Sequence, residues 1–423
     1  MGILLNKLKP KSEFSRNVLT LMTGTTIAQA IPIAISPILT RIYTPEDFGV
    51  FALFLAITGV FSVVASGRYE LALMLPRKEE DAINIFALGM GILIIVTLLL
   101  LFFVFLFDSY IVNMLENNEI RHWLYFIPVA VFFVGLFNLL SYYNNRQQNY
   151  RDIAHATIIK SIILAIVQLV MGFFKMGASG LISGQIISSF FANVRLFKNI
   201  ITDKILLSKV SKVQMRVLSK HYKDFPKYQA PHAMLNTFSS QIPVYMFTPF
   251  FGLTVVGLYA LSTRIVFAPL MILAGASAKV YNQKVTEIYN DKGDAYGFTI
   301  RLLKSLIKKI IVPFALLVVF APNIFAFVFG EEWRKAGVYT QILSPWLLMV
   351  FVVATISFIP SILNMQKKAF ILEILYTLSR VVAIGVGLVY QNVLIALVAY
   401  SAVGFLMLNY NIWWMLSSLK KVD

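Results

Sequence analysis

The sequence contains no cysteine and little charge. Only 13% of its 423 residues are charged and 58% are hydrophobic, whereas an average soluble domain has about 25% charged residues. The absence of cysteine excludes disulfides, thiolate metal sites and cysteine catalysis. The scarcity of charge excludes a soluble enzyme, because residues 83–107 form an uncharged run longer than the roughly 20 residues that cross a bilayer as a helix.

Sequence motifs for chemistry are also missing. No Gly-Lys dipeptide occurs, so the chain has no phosphate-binding loop and no ATPase site of its own. The four histidines have no metal-ligand spacing; they are His122, His155, His221 and His232. We therefore predict no catalytic residue, no metal site and no cofactor.

Long apolar runs fill most of the chain and predict an all-α polytopic membrane protein with about 12 transmembrane helices. Short junctions around Gly252 and around Gln391 and Asn392 predict helical hairpins. The predicted spans are residues 17–40, 48–66, 83–107, 123–141, 153–174, 177–194, 229–251, 253–275, 310–329, 336–363, 369–390 and 393–417.

Six spans precede a basic segment and six follow it. We predict an N-terminal six-helix lobe over residues 1–197, a linker over 198–228 and a C-terminal six-helix lobe over 229–423. The second span of each half opens with a similar motif, at residues 48–53 and 256–261. Because each half has an even number of spans, the halves are parallel repeats related by a pseudo-twofold axis along the membrane normal.

The net charge of +17 comes from 37 basic and 20 acidic residues. Most basic residues fall in the loops of one side, from Lys7, Lys9 and Lys11 to Lys420 and Lys421, which places both termini in the cytoplasm. This bias explains the basicity, so no nucleic-acid partner is predicted. The basic residues on the other side are Arg41, Arg121, Lys175, Arg334 and Lys335.

Apolar and basic residues alternate at helical spacing in the linker between Lys204 and Phe225. This pattern predicts a helix lying on the anionic inner leaflet, with anionic lipids as partners. The alternative is a solvated basic tether.

Three basic residues lie inside spans: Lys160, Arg264 and Arg380. A central cation costs about 2.5–3.5 kcal/mol on insertion scales, and no acidic residue lies at comparable depth in the sequence. We therefore predict a hydrated cationic cavity between the halves that receives an anionic substrate. Alternatively, Lys160 snorkels to the interface and Arg380 bonds backbone carbonyls.

Prolines occur in the first helices of both halves, and we expect them to interrupt these helices. Pro269 permits a kink close to Arg264. A gating or structural role is predicted for Pro32, Pro243 and Pro269, with packing against a neighbouring helix as the alternative. The remaining prolines of this group are Pro37 and Pro249.

The stretches at residues 39–53 (LTRIYTPEDFGVFAL) and 67–72 (GRYELA) resemble the polysaccharide transporter family of Wzx-type O-antigen and exopolysaccharide flippases. That family belongs to the multidrug/oligosaccharidyl-lipid/polysaccharide exporter superfamily. Residues 257–264 and Pro269 are similar to its eighth span. Within the stretches 39–53 and 67–72, a gating or structural role is predicted for Arg41, Arg68 and Glu70.

The resemblance implies two six-helix lobes around a central cleft. Alternating access would carry an undecaprenyl-diphosphate-linked oligosaccharide across the bacterial inner membrane, with Arg264 and Arg380 contacting diphosphate or acidic sugars and Lys160 assisting. A glycan polymerase and chain-length proteins would be partners. The alternatives are a multidrug or small-solute exporter, whose expected intramembrane carboxylate is missing, and a glycan polymerase or ligase, which the short external segment 108–122 opposes.

Overall fold

The computed structural model describes residues 13–114, 120–202 and 204–421, and these ranges contain helices and no strand. Ten of the helical stretches are long and apolar enough to cross a membrane. The prediction of an all-α, multi-pass membrane protein is therefore confirmed. The N-terminal lysines Lys7, Lys9 and Lys11 lie outside the described residues.

The exact count of twelve spans is not confirmed. One of the ten stretches, Phe225–Asn290, is 66 residues long and contains both the seventh and the eighth predicted span. The sixth predicted span lies in the helix Ala178–Thr202, which is not among the ten.

The chain forms two compact units, Met1–Pro249 and Phe250–Asp423. The predicted lobes and the linker boundaries at 198 and 228 stay predictions. In the first unit the long helices are α1 (Glu13–Ile42), α2 (Pro45–Ser62), α3 (Glu79–Met114), α4 (Ile127–Arg146), α5 (Tyr150–Phe173) and α6 (Ala178–Thr202).

The resemblance motif forms the sharp junction between α1 and α2. The side chain of Thr44 accepts from the backbone N–H of Asp47, and the Asp47 carboxylate accepts from the backbone N–H of Thr44 at 2.9 Å. This capping box, with Pro45 in the first turn, starts α2. Tyr43, 2% exposed, donates its hydroxyl to the carbonyl of Gln168 on α5 at 2.6 Å.

Small residues set the close approaches within the first unit. A Cβ added at Gly24 of α1 would lie 2.5 Å from the Cβ of Ala154 on α5. A Cβ at Gly135 of α4 would lie 2.7 Å from Leu93 of α3. Helices packed this closely gain van der Waals contact, which matters in lipid because the hydrophobic effect does not drive helices together there.

The linker does not form the single helix predicted over residues 204–225. It forms a short helix, Lys204–Leu207, and a longer one, Lys212–His221, which we call the linker helix. The break falls at Ser211, which has extended backbone angles and whose N–H donates to Asn84 of α3 at 2.8 Å. Placement of the linker on the inner leaflet stays a prediction.

The second unit is built from the larger part of α7 (Ala230–Asn290), followed by α8 (Ala295–Phe329), α9 (Arg334–Ile356), α10 (Gln366–Val389) and α11 (Val393–Lys420). Inside α7, Gly252 has non-helical angles of φ 81° and ψ 169°, at the junction predicted between spans seven and eight. The predicted hairpin between α10 and α11 is confirmed. Asn392 caps α11, and a Cβ at Gly387 would clash with Ala396.

The prediction that prolines interrupt the helices is wrong. The helix α1 continues through Pro32 and Pro37, and within α7 only Gly252 has non-helical angles, so the backbone stays helical at Pro243 and Pro269. Proline has a helix-compatible φ and removes one donor, and a hydroxyl can take that donor's place. The hydroxyl of Ser36 donates at 2.5 Å to the carbonyl of Ile33, which Pro37 leaves without its backbone partner.

Many large apolar side chains on the long helices are exposed. On α3, Ile95, Leu98, Phe102 and Phe105 are each 58–69% exposed. Contiguous apolar surface of this extent is not tolerated in water and is normal against lipid tails. The same helix begins with three acidic residues, Glu79, Glu80 and Asp81, and becomes apolar after them.

Candidate functional site

Arg264 lies on α7, twelve residues after Gly252, which is about 18 Å of helix. Its side chain is half-buried. The next acidic residue along the helix is Glu287, 23 residues further on, or about 34 Å away. Sequence alone therefore identifies Arg264 as a cation without a neighbouring carboxylate on its own helix.

The described residues on other helices supply no partner for Arg264 either. Among the described residues it makes no ion pair, no hydrogen bond and no contact with an aromatic ring face. The hydroxyl of the neighbouring Thr263 donates to the carbonyl of Tyr259 at 2.8 Å. An arginine carries five N–H donors that are costly to leave unpaired away from water, so Arg264 is available to an anionic ligand.

Arg380 lies on α10 and is only 6% exposed. One terminal nitrogen approaches the Glu373 carboxylate at 3.6 Å, and the guanidinium stacks over the Tyr376 ring, 4.1 Å from its centre. It also hydrogen-bonds the hydroxyl of Tyr400 on α11. The expectation that no carboxylate reaches Arg380 is wrong, because Glu373 lies two helical turns earlier on the same face.

The polar cluster around Arg380 extends through three further helices of the second unit. Tyr400 also hydrogen-bonds Tyr259 of α7, and its ring packs edge-on against Trp346 of α9 at 5.0 Å between centres. The indole N–H of Trp346 donates to the hydroxyl of Tyr376 at 2.7 Å. A buried arginine held on so many sides fixes the packing of α7, α9, α10 and α11. We call this set of residues the arginine–tyrosine cluster.

Lys160 lies on α5 in the first unit and is half-buried. Its ammonium group lies over the ring of Phe137 on α4, 4.8 Å from the ring centre. Among the described residues it has no acidic partner. This cation–π contact is worth about 0.5–2 kcal/mol, depending on how dry the site is, so it offsets only part of the cost of placing the charge there.

Arg68, which is half-buried, and Glu70, which is buried, form an ion pair just after the second predicted span. The two side chains approach to 3.2 Å, Glu70 is 2% exposed, and the hydroxyl of Ser66 donates to the Glu70 carboxylate. Gly67 and Arg68 both have left-handed backbone angles, which turn the chain sharply. Arg41, predicted in the same group, is exposed at the end of α1.

Sequence reasoning missed the partners of Arg380. Glu373 could have been found from the sequence, since a spacing of seven residues places it on the same helical face as Arg380. Tyr259, Trp346 and Tyr400 lie on other helices, so no local pattern joins them. The predicted absence of a metal site stays a prediction; the described residues contain no group of three or more His, Asp or Glu side chains able to hold a metal ion.

The sequence also matches a protein-family model. Residues 38–339 match the family described as polysaccharide biosynthesis protein. The chain belongs to this family. The matched range includes both resemblance motifs and Arg264. A search of curated protein sequences finds no significant match.

The fold is similar to those of several solved transporters. A lipid II flippase, MurJ, in an inward closed conformation has a TM-score of 0.74 at 14% identity, covering 96% of this chain and 90% of the other. An inward-facing multidrug resistance MATE transporter of the MOP superfamily has a TM-score of 0.65 at 16% identity, covering 95% and 96%. Identities this low establish a shared fold and leave the substrate open.

A third structure with this fold is a MOP superfamily transporter from Pyrococcus furiosus. Its TM-score is 0.58 at 14% identity, and the match covers 96% of both chains. These three structures therefore include a lipid II flippase and a multidrug resistance transporter on one architecture. The expected superfamily fold is confirmed, and function has to be argued from this chain's own residues.

Proposed function

We propose that this protein is a flippase for a lipid-linked oligosaccharide. It moves an undecaprenyl-diphosphate-linked repeat unit of a surface polysaccharide from the cytoplasmic to the periplasmic leaflet of the bacterial inner membrane by alternating access. The proposal includes the orientation predicted from the basic loops, with both termini in the cytoplasm. Membership of the polysaccharide biosynthesis family supports the pathway, and the fold supports a transporter rather than an enzyme.

Arg264 is the observation that carries this proposal. It is a half-buried cation within a predicted span, and no described residue neutralises it. A diphosphate offers several oxygens to a planar guanidinium, which binds such groups in a bidentate manner. A substrate that carries its own diphosphate therefore supplies what the site lacks.

The other two predicted cations take lesser parts in this proposal. Lys160 is held only by the Phe137 ring and remains able to assist an anionic substrate. Arg380 is 6% exposed and already bound to Glu373 and Tyr376. Its contribution is to position α7, which carries Arg264, more than to contact the diphosphate.

The test uses a bacterial strain that lacks the chromosomal copy and carries variants on a plasmid. Each charge-assisted hydrogen bond contributes about 1.5–3 kcal/mol, so Arg264→Ala should lower surface glycan by about tenfold or more. Lipid-linked precursor should accumulate on the cytoplasmic side. Arg264→Lys, which keeps the positive charge but lacks the planar guanidinium for bidentate binding, should retain part of the activity.

Arg301→Ala is the matched control, because Arg301 is an exposed arginine of the same unit that pairs with Asp294 at 3.6 Å. It should leave surface glycan unchanged. Full surface glycan from Arg264→Ala at normal protein levels would show that Arg264 does not bind the substrate. Unchanged glycan in the deletion strain itself would refute the flippase function.

The second candidate is a multidrug or small-solute exporter, favoured by the similarity in fold to MATE transporters. An exporter of organic cations needs an available intramembrane carboxylate. In this chain Glu373 is engaged by Arg380 and Glu70 by Arg68. Resistance to cationic dyes that depends on the intact protein would favour this candidate.

A further inference from the structure

The first unit contains an apolar cavity of about 230 Å³. It lies where the first turns of α3, the last turns of α6 and the linker meet. Every lining side chain is apolar. The principal ones are Phe86 and Met90 of α3, Phe197 and Ile201 of α6, and Leu207 and Val210 of the linker.

The linker is fixed over this cavity by side-chain hydrogen bonds to α3. The Asn84 amide donates to the carbonyl of Lys209 at 3.0 Å and accepts from the N–H of Ser211 at 2.8 Å. Gln214 donates to the Asp81 carboxylate at 2.7 Å. The cavity is therefore part of the fold, with a wall that is held in place.

The mouth of the cavity is hydrophobic. Of the lining residues, Ile201 is 52% exposed and Val210 38%. The cavity is built on α3, one of the helices that are long and apolar enough to cross a membrane, so a lipid chain is a suitable occupant. An apolar cavity takes apolar ligands and stays without water.

Exposed positive charge lies beside the apolar mouth. Lys198 lies one turn before Ile201 on α6, and Lys212 follows Val210 by two residues. Both lysines are exposed, and neither has an acidic partner in the described part of the chain. Basic residues at this position attract anionic headgroups.

The size of the cavity limits the length of lipid chain that it can hold. At about 30 Å³ for a water-sized group, 230 Å³ holds roughly seven or eight such groups. That is enough for part of one acyl chain and only a small fraction of an undecaprenyl chain.

We propose that this cavity binds one acyl chain of an anionic phospholipid whose phosphate lies between Lys198 and Lys212. The bound lipid ties the linker to the membrane surface. This site is separate from the oligosaccharide-diphosphate contact proposed at Arg264, and it stands if that assignment fails.

The test is native mass spectrometry of the full-length protein in detergent, with phosphatidylglycerol and phosphatidylcholine of identical chains. The tightest-bound lipid should be phosphatidylglycerol, preferred by about tenfold. Ala87→Trp, which fills the cavity, should remove this binding, and Leu98→Trp, on the lipid-facing surface of the same helix, should not. Val210→Trp on the exposed linker repeats the test with less risk to folding.

A second experiment tests the headgroup contact with the double variant Lys198→Glu and Lys212→Glu. The control carries the same charge change at Lys308 and Lys309 of α8. Only the first pair should abolish the preference for phosphatidylglycerol. Equal affinity for both lipids, binding unaffected by Ala87→Trp and Val210→Trp, or a preference unaffected by the charge change would each overturn the proposal. Displacement of the phospholipid by undecaprenyl phosphate would overturn the choice of occupant.

Discussion

The hydroxyl of Tyr400 is the smallest group whose removal tests the arginine–tyrosine cluster of the second unit. Tyr400 is 1% exposed and hydrogen-bonds both Arg380 and Tyr259. Tyr400→Phe deletes one oxygen and preserves the edge-on contact of the ring with Trp346. The variant therefore separates polar linkage from packing.

The size of the effect follows from the two bonds lost. Side-chain hydrogen bonds between membrane helices average about 0.6 kcal/mol and reach about 1.7, and a buried group left unsatisfied costs about 1–3 kcal/mol. Tyr259, which loses this partner, is 6% exposed. We expect the free energy of unfolding to fall by about 1–3 kcal/mol. A loss of about 2 kcal/mol lowers the melting temperature by roughly 4–8 °C for a unit of this size.

The assay is thermal unfolding of the purified protein in detergent, with Tyr410→Phe as the control. Tyr410 lies on the same helix and is 43% exposed, so its variant should stay within about 0.5 kcal/mol of the parent. Arg380→Met and the double variant complete a cycle, in which coupled residues should deviate from additivity by at least about 0.5 kcal/mol. If Tyr400→Phe has the same melting temperature as the parent protein, or if the effects of Tyr400→Phe and Arg380→Met on stability simply add, the cluster does not hold these helices together.

Two pairs of glycines give further predictions with internal controls. Gly387→Ala should lower the free energy of unfolding by about 1–3 kcal/mol, because its Cβ would clash with the backbone of Ala396. Its control, Gly385→Ala, meets open space and should be neutral. Equal melting temperatures of the two variants would contradict the tight α10–α11 contact. Gly252→Ala should cost about 1–3 kcal/mol through its backbone angles alone, since nothing lies within 4 Å of the added Cβ. Gly275→Ala, equally uncrowded and helical, should be neutral or stabilising, and comparable stability of these two variants would exclude backbone strain at Gly252.

Hydropathy and charge were enough to predict the class and most helices. The uncharged run at residues 83–107 lies inside α3, and the Thr44–Asp47 pattern encodes the observed start of α2. Such features are local, because a helix satisfies its own backbone and its cap uses residues three apart. The prediction that prolines interrupt the helices was wrong for a related reason. Their local preference is to break helices, but Ser36 compensates for Pro37.

In the candidate site too, local features were predictable from the sequence and contacts between helices were not. Arg264 was visible in the sequence because a single charge within an apolar run needs no alignment to be noticed. Arg380 looked the same, yet the structure surrounds it with Glu373, Tyr376 and Tyr400. Three-dimensional packing alone distinguishes a cation that has partners from one that lacks them.

The sequence by itself determined that this is an all-helical membrane protein, and it singled out the cations that lie within spans. Those properties follow from composition along one helix, where the cost of each residue in lipid is nearly independent of the others. The tertiary structure decided that Arg380 is bound, that Arg264 has no partner among the described residues, and that the linker closes over an apolar cavity. These depend on which side chains from distant helices come within a few ångströms, and no local spacing encodes that.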